Sequence, residues 1–154
     1  MKITLAADPG GVELKNAVKK HLIELGHEVR DLGGEKDAPV LYPVVGDSVA
    51  KEVQSGKADR GIVFCGTGMG VSIVANKGVY CGVVESIYAA YNSREINNVN
   101  MLALGGNIVG VGHALKIVDT FIDTAWKADA DEVRGKRLEG FLESIRKIED
   151  EQFR

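Results

Sequence analysis

Short apolar runs alternate with amphipathic stretches along the whole chain. Residues 3–7, 28–32, 62–64, 80–84 and 101–104 are brief, β-rich runs bounded by Gly, Pro or Asp, as strands buried on both faces require. Between them the apolar positions recur at helical spacing. Leu14, Val18, Leu22 and Leu25 follow the break at Pro9, Gly10 and Gly11, and Gly26 ends that helix. Val45, Val49 and Val53 follow Pro43, which suits a first helical turn, and stop at Gly56. Further helices are predicted over 71–76, 87–96 and 111–125, the last with Leu115, Val118, Ile122 and Ala125 on one face. Strands and helices alternating at this pitch predict an α/β fold, a three-layer α/β/α sandwich on a five-stranded parallel sheet of Rossmann-like type.

The tail breaks the alternation. Residues 131–153 read as one more helix, with Leu138, Phe141, Leu142, Ile145 and Ile148 on a stripe, after the sheet already has its covering helices. Such a stripe needs another surface, most simply a second subunit. The expected organisation is one domain over 1–154, an α/β core to about 125 and a dimerisation helix over 126–154. The basic cluster Arg134, Lys136 and Arg137 reads as a solvated face, with reach into a neighbouring site as the alternative.

Composition narrows the classes. A 154-residue chain with 45% hydrophobic and 27% charged residues suits one globular domain. A net charge of −3 with mixed signs gives no reason to expect nucleic acid or an anionic membrane as partner. No apolar run approaches the roughly 20 residues of a membrane span, and MKITLAAD enters a strand directly. The two cysteines form no CxxC pair, and the three histidines form no cluster with metal-ligand spacing. His21 shares a face with Leu14, Val18 and Leu25, and Cys81 falls within the fourth strand as a core residue. A reduced, cytoplasmic protein without a disulfide framework or a zinc site is expected.

The chemistry concentrates in residues 61–77, GIVFCGTGMGVSIVANK. A buried strand ends at Cys65, then Gly66, Gly68 and Gly70 permit a tight turn into a helix. The carboxyl end of a strand beside a helix amino end is the usual ligand place in open α/β sheets. Three readings fit this loop. It is a tight turn around an inert core cysteine, a dinucleotide site with Glu85 as ribose-binding acid, or a reactive thiol beside a helix amino terminus. Against the second, the spacing is GxGxG and two strand–helix units precede it.

The loop CGTGMGVSIVANK, the DPGG turn after the first strand, the Tyr42–Pro43 pair and the stretch SREINNVN together resemble the ribose-5-phosphate isomerase B family. That family also includes the galactose-6-phosphate isomerase subunits, and the resemblance runs over about 1–137. It implies the α/β/α fold above and a dimer whose subunits share an active site. It also implies aldose–ketose interconversion of a small sugar or sugar phosphate through a cis-enediolate, without metal or organic cofactor. By the same resemblance Cys65 is the base at carbon and Thr67 moves a proton between the two oxygens. Asp8, Tyr42, Gly66, Gly68, Met69 and Gly70 meet the substrate, Asn97 helps hold the enediolate, and Arg134 or Arg137 answers to a carboxy-terminal arginine pair. The residue types suit that chemistry, which needs a base at the α-carbon and donors already placed for an oxyanion.

Three positions depart from the family pattern. Ile96 replaces the ring-opening histidine, Pro9 a phosphate-binding histidine, and Asn107 a phosphate-binding arginine. Three readings follow. One is an isomerase for a sugar that needs no ring opening, such as a four-carbon sugar phosphorylated on its last oxygen or an uncharged or acidic open-chain sugar. Another is one half of a hetero-oligomer with a paralogous chain. The third is a non-catalytic binding module. Glu85 stands as a solvated strand end or a replacement acid.

Overall fold

The computed structural model describes residues 1–77 and 79–152. Its strands are β1 (Lys2–Ala7), β2 (Glu28–Asp31), β3 (Arg60–Cys65), β4 (Cys81–Val83) and β5 (Met101–Gly105). They form one sheet in the order β2-β1-β3-β5-β4, with every pairing parallel. The helices are α1 (Val12–Glu24), α2 (Tyr42–Gln54), α3 (Met69–Ala75), α4 (Ile87–Glu95), α5 (Val111–Asp123) and α6 (Glu132–Gln152). The predicted architecture is therefore the observed one, with shifted boundaries. β4 keeps only three residues, and at its amino end the side-chain oxygens of Asn100 and Asn76 accept the Tyr80 and Cys81 N–H groups. α3 begins two residues earlier than expected. α5 stops before Ala125, at Thr124, whose backbone is extended. The expected end of the last helix at Phe153 lies outside the described residues.

Strand alternation sorts the core into two layers. Ile3, Leu5, Ile62, Phe64, Leu102 and Leu104 face α1 and α5, meeting Leu14, Val18, Ile117 and Phe121. Ala6, Val63, Cys65, Met101 and Ala103 face α2 and α3, meeting Val45, Val49 and Val71. Cys65 thus lies on the α2–α3 side of the central strand. From β1 the chain crosses to β2 on one side; from β3 it crosses beyond β5 to β4 on the other. The crevice between the carboxyl ends of β1 and β3 is the topological switch point, where open α/β sheets bind ligands.

A fully buried lysine ties the β2 edge down. Lys15 of α1 reaches Asp31 at 2.9 Å and Glu35 at 2.5 Å, and Lys19 joins Asp31 at 2.8 Å. Burial works against the Asp31 carboxylate, but hydrogen bonds from Lys19, Lys15 and the Gly33 N–H outweigh it and hold its pKa below the usual range. α6 stands apart from the two layers. Leu138 and Leu142 are buried, while Val133, Phe141 and Ile148 remain more than half exposed.

Candidate active site

Three strand-end loops meet at the switch point, and glycine lets them touch. A Cβ on Gly10 would lie 2.6 Å from the Gly66 nitrogen, and one on Gly106 would lie 2.2 Å from the Gly10 oxygen. Backbone bonds lock the contact. Asp8 N–H donates to the Phe64 carbonyl at 2.9 Å, Gly106 N–H to Cys65 at 2.8 Å and Asn107 N–H to Gly66 at 3.0 Å. Asp8, Cys65, Thr67 and Asn107 are thereby carried on one packed block.

Within it, the turn at Gly68 aims a donor at the thiol. Gly68 has φ of +81°, a left-handed conformation that L side chains rarely adopt. Its N–H points back to Cys65 Sγ at 3.0 Å, a donor suited to negative charge on sulfur. Because α3 has only seven residues, what it offers is local N–H groups rather than a large dipole. Thr67 is exposed and accepts the Met69 N–H at 3.3 Å, which leaves its own hydroxyl proton available to donate. Asp8 accepts the Gly10 N–H at 2.9 Å. Burial raises its pKa, and the N–H groups of Gly10 and Gly11 offset only part of that. The Tyr42 ring lies against Gly70, and with Leu41, Met69 and Ile73 it makes an exposed apolar lip. Cys81 is different: burial alone pushes its pKa up to about 12, so it stays a thiol at neutral pH.

The other expected residues lie elsewhere. α4 returns from the carboxyl end of β4 to the amino end of β5, so Ile96 and Asn97 sit at the opposite rim of the sheet. β5 alone has five residues, about 15 Å of strand. Asn97 is exposed there. Arg134 shares that rim, partly exposed, with both its terminal nitrogens bonded to the Glu95 carboxylate. Glu95 is 1% exposed; the signal in the sequence was two opposite charges in the last turn of α4, left unread. Lys136 pairs with Glu132 on the solvated face, and Arg137 is exposed. Glu85 lies two residues beyond the edge strand β4, which is two strand spacings or about 10 Å from β3. Its carbonyl bonds the His113 ring. Among the described residues no group of three His, Cys, Asp or Glu could hold a metal ion, and no helix is long and apolar enough to cross a membrane.

A thiol under a backbone donor thus lies at the switch point of an α/β sheet, with a hydroxyl and a carboxylate on the same packed loops. Residues 3–138 match the family described as Ribose/Galactose Isomerase, and the chain belongs to that family. Over its full length it is 36% identical to the 4-deoxy-4-sulfo-D-erythrose isomerase of Clostridium sp. (strain MSTE9), covering 99% of that protein. It is 37% identical over 150 residues to the ribose-5-phosphate isomerase B of Escherichia coli (strain K12), covering 96% of each chain. Among solved structures, the ribose-5-phosphate isomerase B of Clostridium thermocellum superposes with a TM-score of 0.84 at 41% identity, over 96% of this chain and 99% of that one.

Proposed function

We propose that the protein interconverts an aldose and a ketose through a cis-enediolate, with Cys65 as the base. The Gly68 N–H on Cys65 Sγ is the observation that carries this reading. The thiolate takes the proton from the carbon beside the carbonyl. The N–H groups of residues 66–70 other than those of Gly68 and Met69, which the thiol and the Thr67 hydroxyl take, stabilise the oxyanion that develops, and Thr67 relays a proton between the two oxygens. Asp8 and Tyr42 hold the sugar. Asn97, at the far rim of its own chain, meets the enediolate in a second subunit's crevice, with Arg137 beside it. A dimer sharing its sites in this way also gives the apolar stripe of α6 a surface to cover.

For substrate, the proposal is an open-chain, four-carbon aldose with an anionic group at its last carbon. Such a sugar has no hydroxyl available to close a furanose ring, so it needs no ring-opening acid, and Ile96 supplies none. None of residues 8–11, 65–70 and 105–110 is Lys, Arg or His, so the crevice itself brings no side-chain cation to an anion. The full-length relative named for 4-deoxy-4-sulfo-D-erythrose supports this choice.

The test is deuterium uptake at the α-carbon, followed by NMR in heavy water. The sugars are 4-deoxy-4-sulfo-D-erythrose, D-erythrose 4-phosphate and ribose 5-phosphate. Exchange is expected with the four-carbon sugars, and Cys65→Ala should slow it about a thousandfold. Ribose 5-phosphate turnover at an equal rate would overturn the substrate assignment. Exchange unchanged in Cys65→Ala would overturn the mechanism. Silence across the panel would favour the second reading, an enzyme that needs a paralogous subunit.

A further inference from the structure

The last turn of α4 buries two consecutive opposite charges, Arg94 at 3% exposure and Glu95 at 1%. Adjacent helical positions point about 100° apart, so the two serve different neighbours. Arg94 turns inward. Its Nη1 donates to the Val99 carbonyl at 2.5 Å and to Asn98 Oδ1 at 2.9 Å, and its Nε to the Thr124 carbonyl at 3.4 Å. The guanidinium lies 5.8 Å from the centroid of the Phe121 ring. Burial, with the charge of Arg60 as a second cause, pushes Arg94 down to about 10, and it is still charged at neutral pH. What it fastens is the turn carrying Asn97, where Asn98 has a φ of +51°.

Glu95 turns the other way. Its carboxylate takes both terminal nitrogens of Arg134 on α6, and its carbonyl takes the Lys127 N–H at 3.0 Å. Lys127 in turn bonds Glu139, further along α6 than Arg134. A buried carboxylate must be paired to be tolerated, so Glu95 commits Arg134 to the fold and leaves Arg137, one turn further along the same helix, exposed.

We propose that Arg94 and Glu95 are positioning residues for isomerisation, clamping the 96–99 turn and α6 into one rigid rim that presents Asn97 and Arg137 together. This rests on the proposed role of Asn97. Neither residue touches the substrate; both act on the transition state through Asn97.

The experiment is a double-mutant cycle on the full chain, read as kcat and KM for D-erythrose 4-phosphate and 4-deoxy-4-sulfo-D-erythrose. Glu95→Gln should lower kcat by about 10- to 100-fold, as small misplacements of a reacting group do, with KM changed by less than about threefold. Combined with Asn97→Ala, it should add no further loss, because both changes remove the same interaction. Arg94→Lys, which keeps a charge in the pocket but loses the fork, is the second variant, should Glu95→Gln fail to fold; the same non-additivity is expected. Full activity of a folded variant, or losses that multiply with Asn97→Ala, would overturn the clamp. Wild-type activity in Asn97→Ala while Cys65→Ala is dead would instead overturn the role of Asn97, and the clamp's purpose with it.

Discussion

At Asp8 the fold holds a carboxylate where water would serve it better. Its folded-state pKa is raised, first by burial, so the folded chain binds the proton more tightly than the unfolded one. Stability therefore falls as pH rises through the window from the unfolded value to the raised one, and the penalty persists above it. Asp8→Asn keeps an oxygen for the Gly10 N–H and removes the charge. Its melting temperature at pH 7 is expected to equal or exceed that of the wild type, while turnover falls; a lower melting temperature at pH 7 would contradict this. At this scale the sequence was most legible where chemistry and local geometry coincide. Cys65, Gly66, Thr67 and Gly68 sit in consecutive positions, so the turn could be read directly. Arg134 could not, because its partner Glu95 is 39 residues away and only the fold brings them together.

Among the elements, β2 is the most weakly specified, with half its pattern facing solvent. Lys15 supplies what apolar burial does not, reaching from α1 to Asp31 and Glu35. Lys15→Met preserves volume but leaves Asp31 with Lys19 and the Gly33 N–H. A loss of about 2 kcal/mol is expected in urea unfolding, less than for a pair stripped of every partner. Because the Asp31 pKa is lowered on folding, its contribution is present at neutral pH and disappears as pH falls through the folded value. The Lys15→Met deficit should accordingly shrink in acid, and an undiminished deficit there would argue for packing instead. Helix and strand order was legible because apolar periodicity reports burial on one chain. β4 is shorter than its apolar run, and at its amino end Asn100 and Asn76 side chains take the Tyr80 and Cys81 N–H groups, which no periodicity encodes.

For the whole molecule, the candidate residues divide between two rims of the sheet. The crevice with Asp8, Cys65 and Thr67 is at one, and Asn97 with Arg137 is at the other. The resemblance to a dimeric family made this division foreseeable as an idea, but its cause lies in topology, because α4 runs back against the strands. Two chains each crippled at a different rim would then be genetically complementary. Cys65→Ala and Asn97→Ala proteins, each inactive alone, should regain activity when unfolded together and refolded as a mixture. Random pairing makes half the dimers mixed, and each mixed dimer has one intact centre, so about a quarter of wild-type activity is the ceiling for a two-fold assembly. Recovery near that level would show that the unit of inheritance for this enzyme's function is the pair of chains, and a cell carrying both defective alleles would still have a working enzyme.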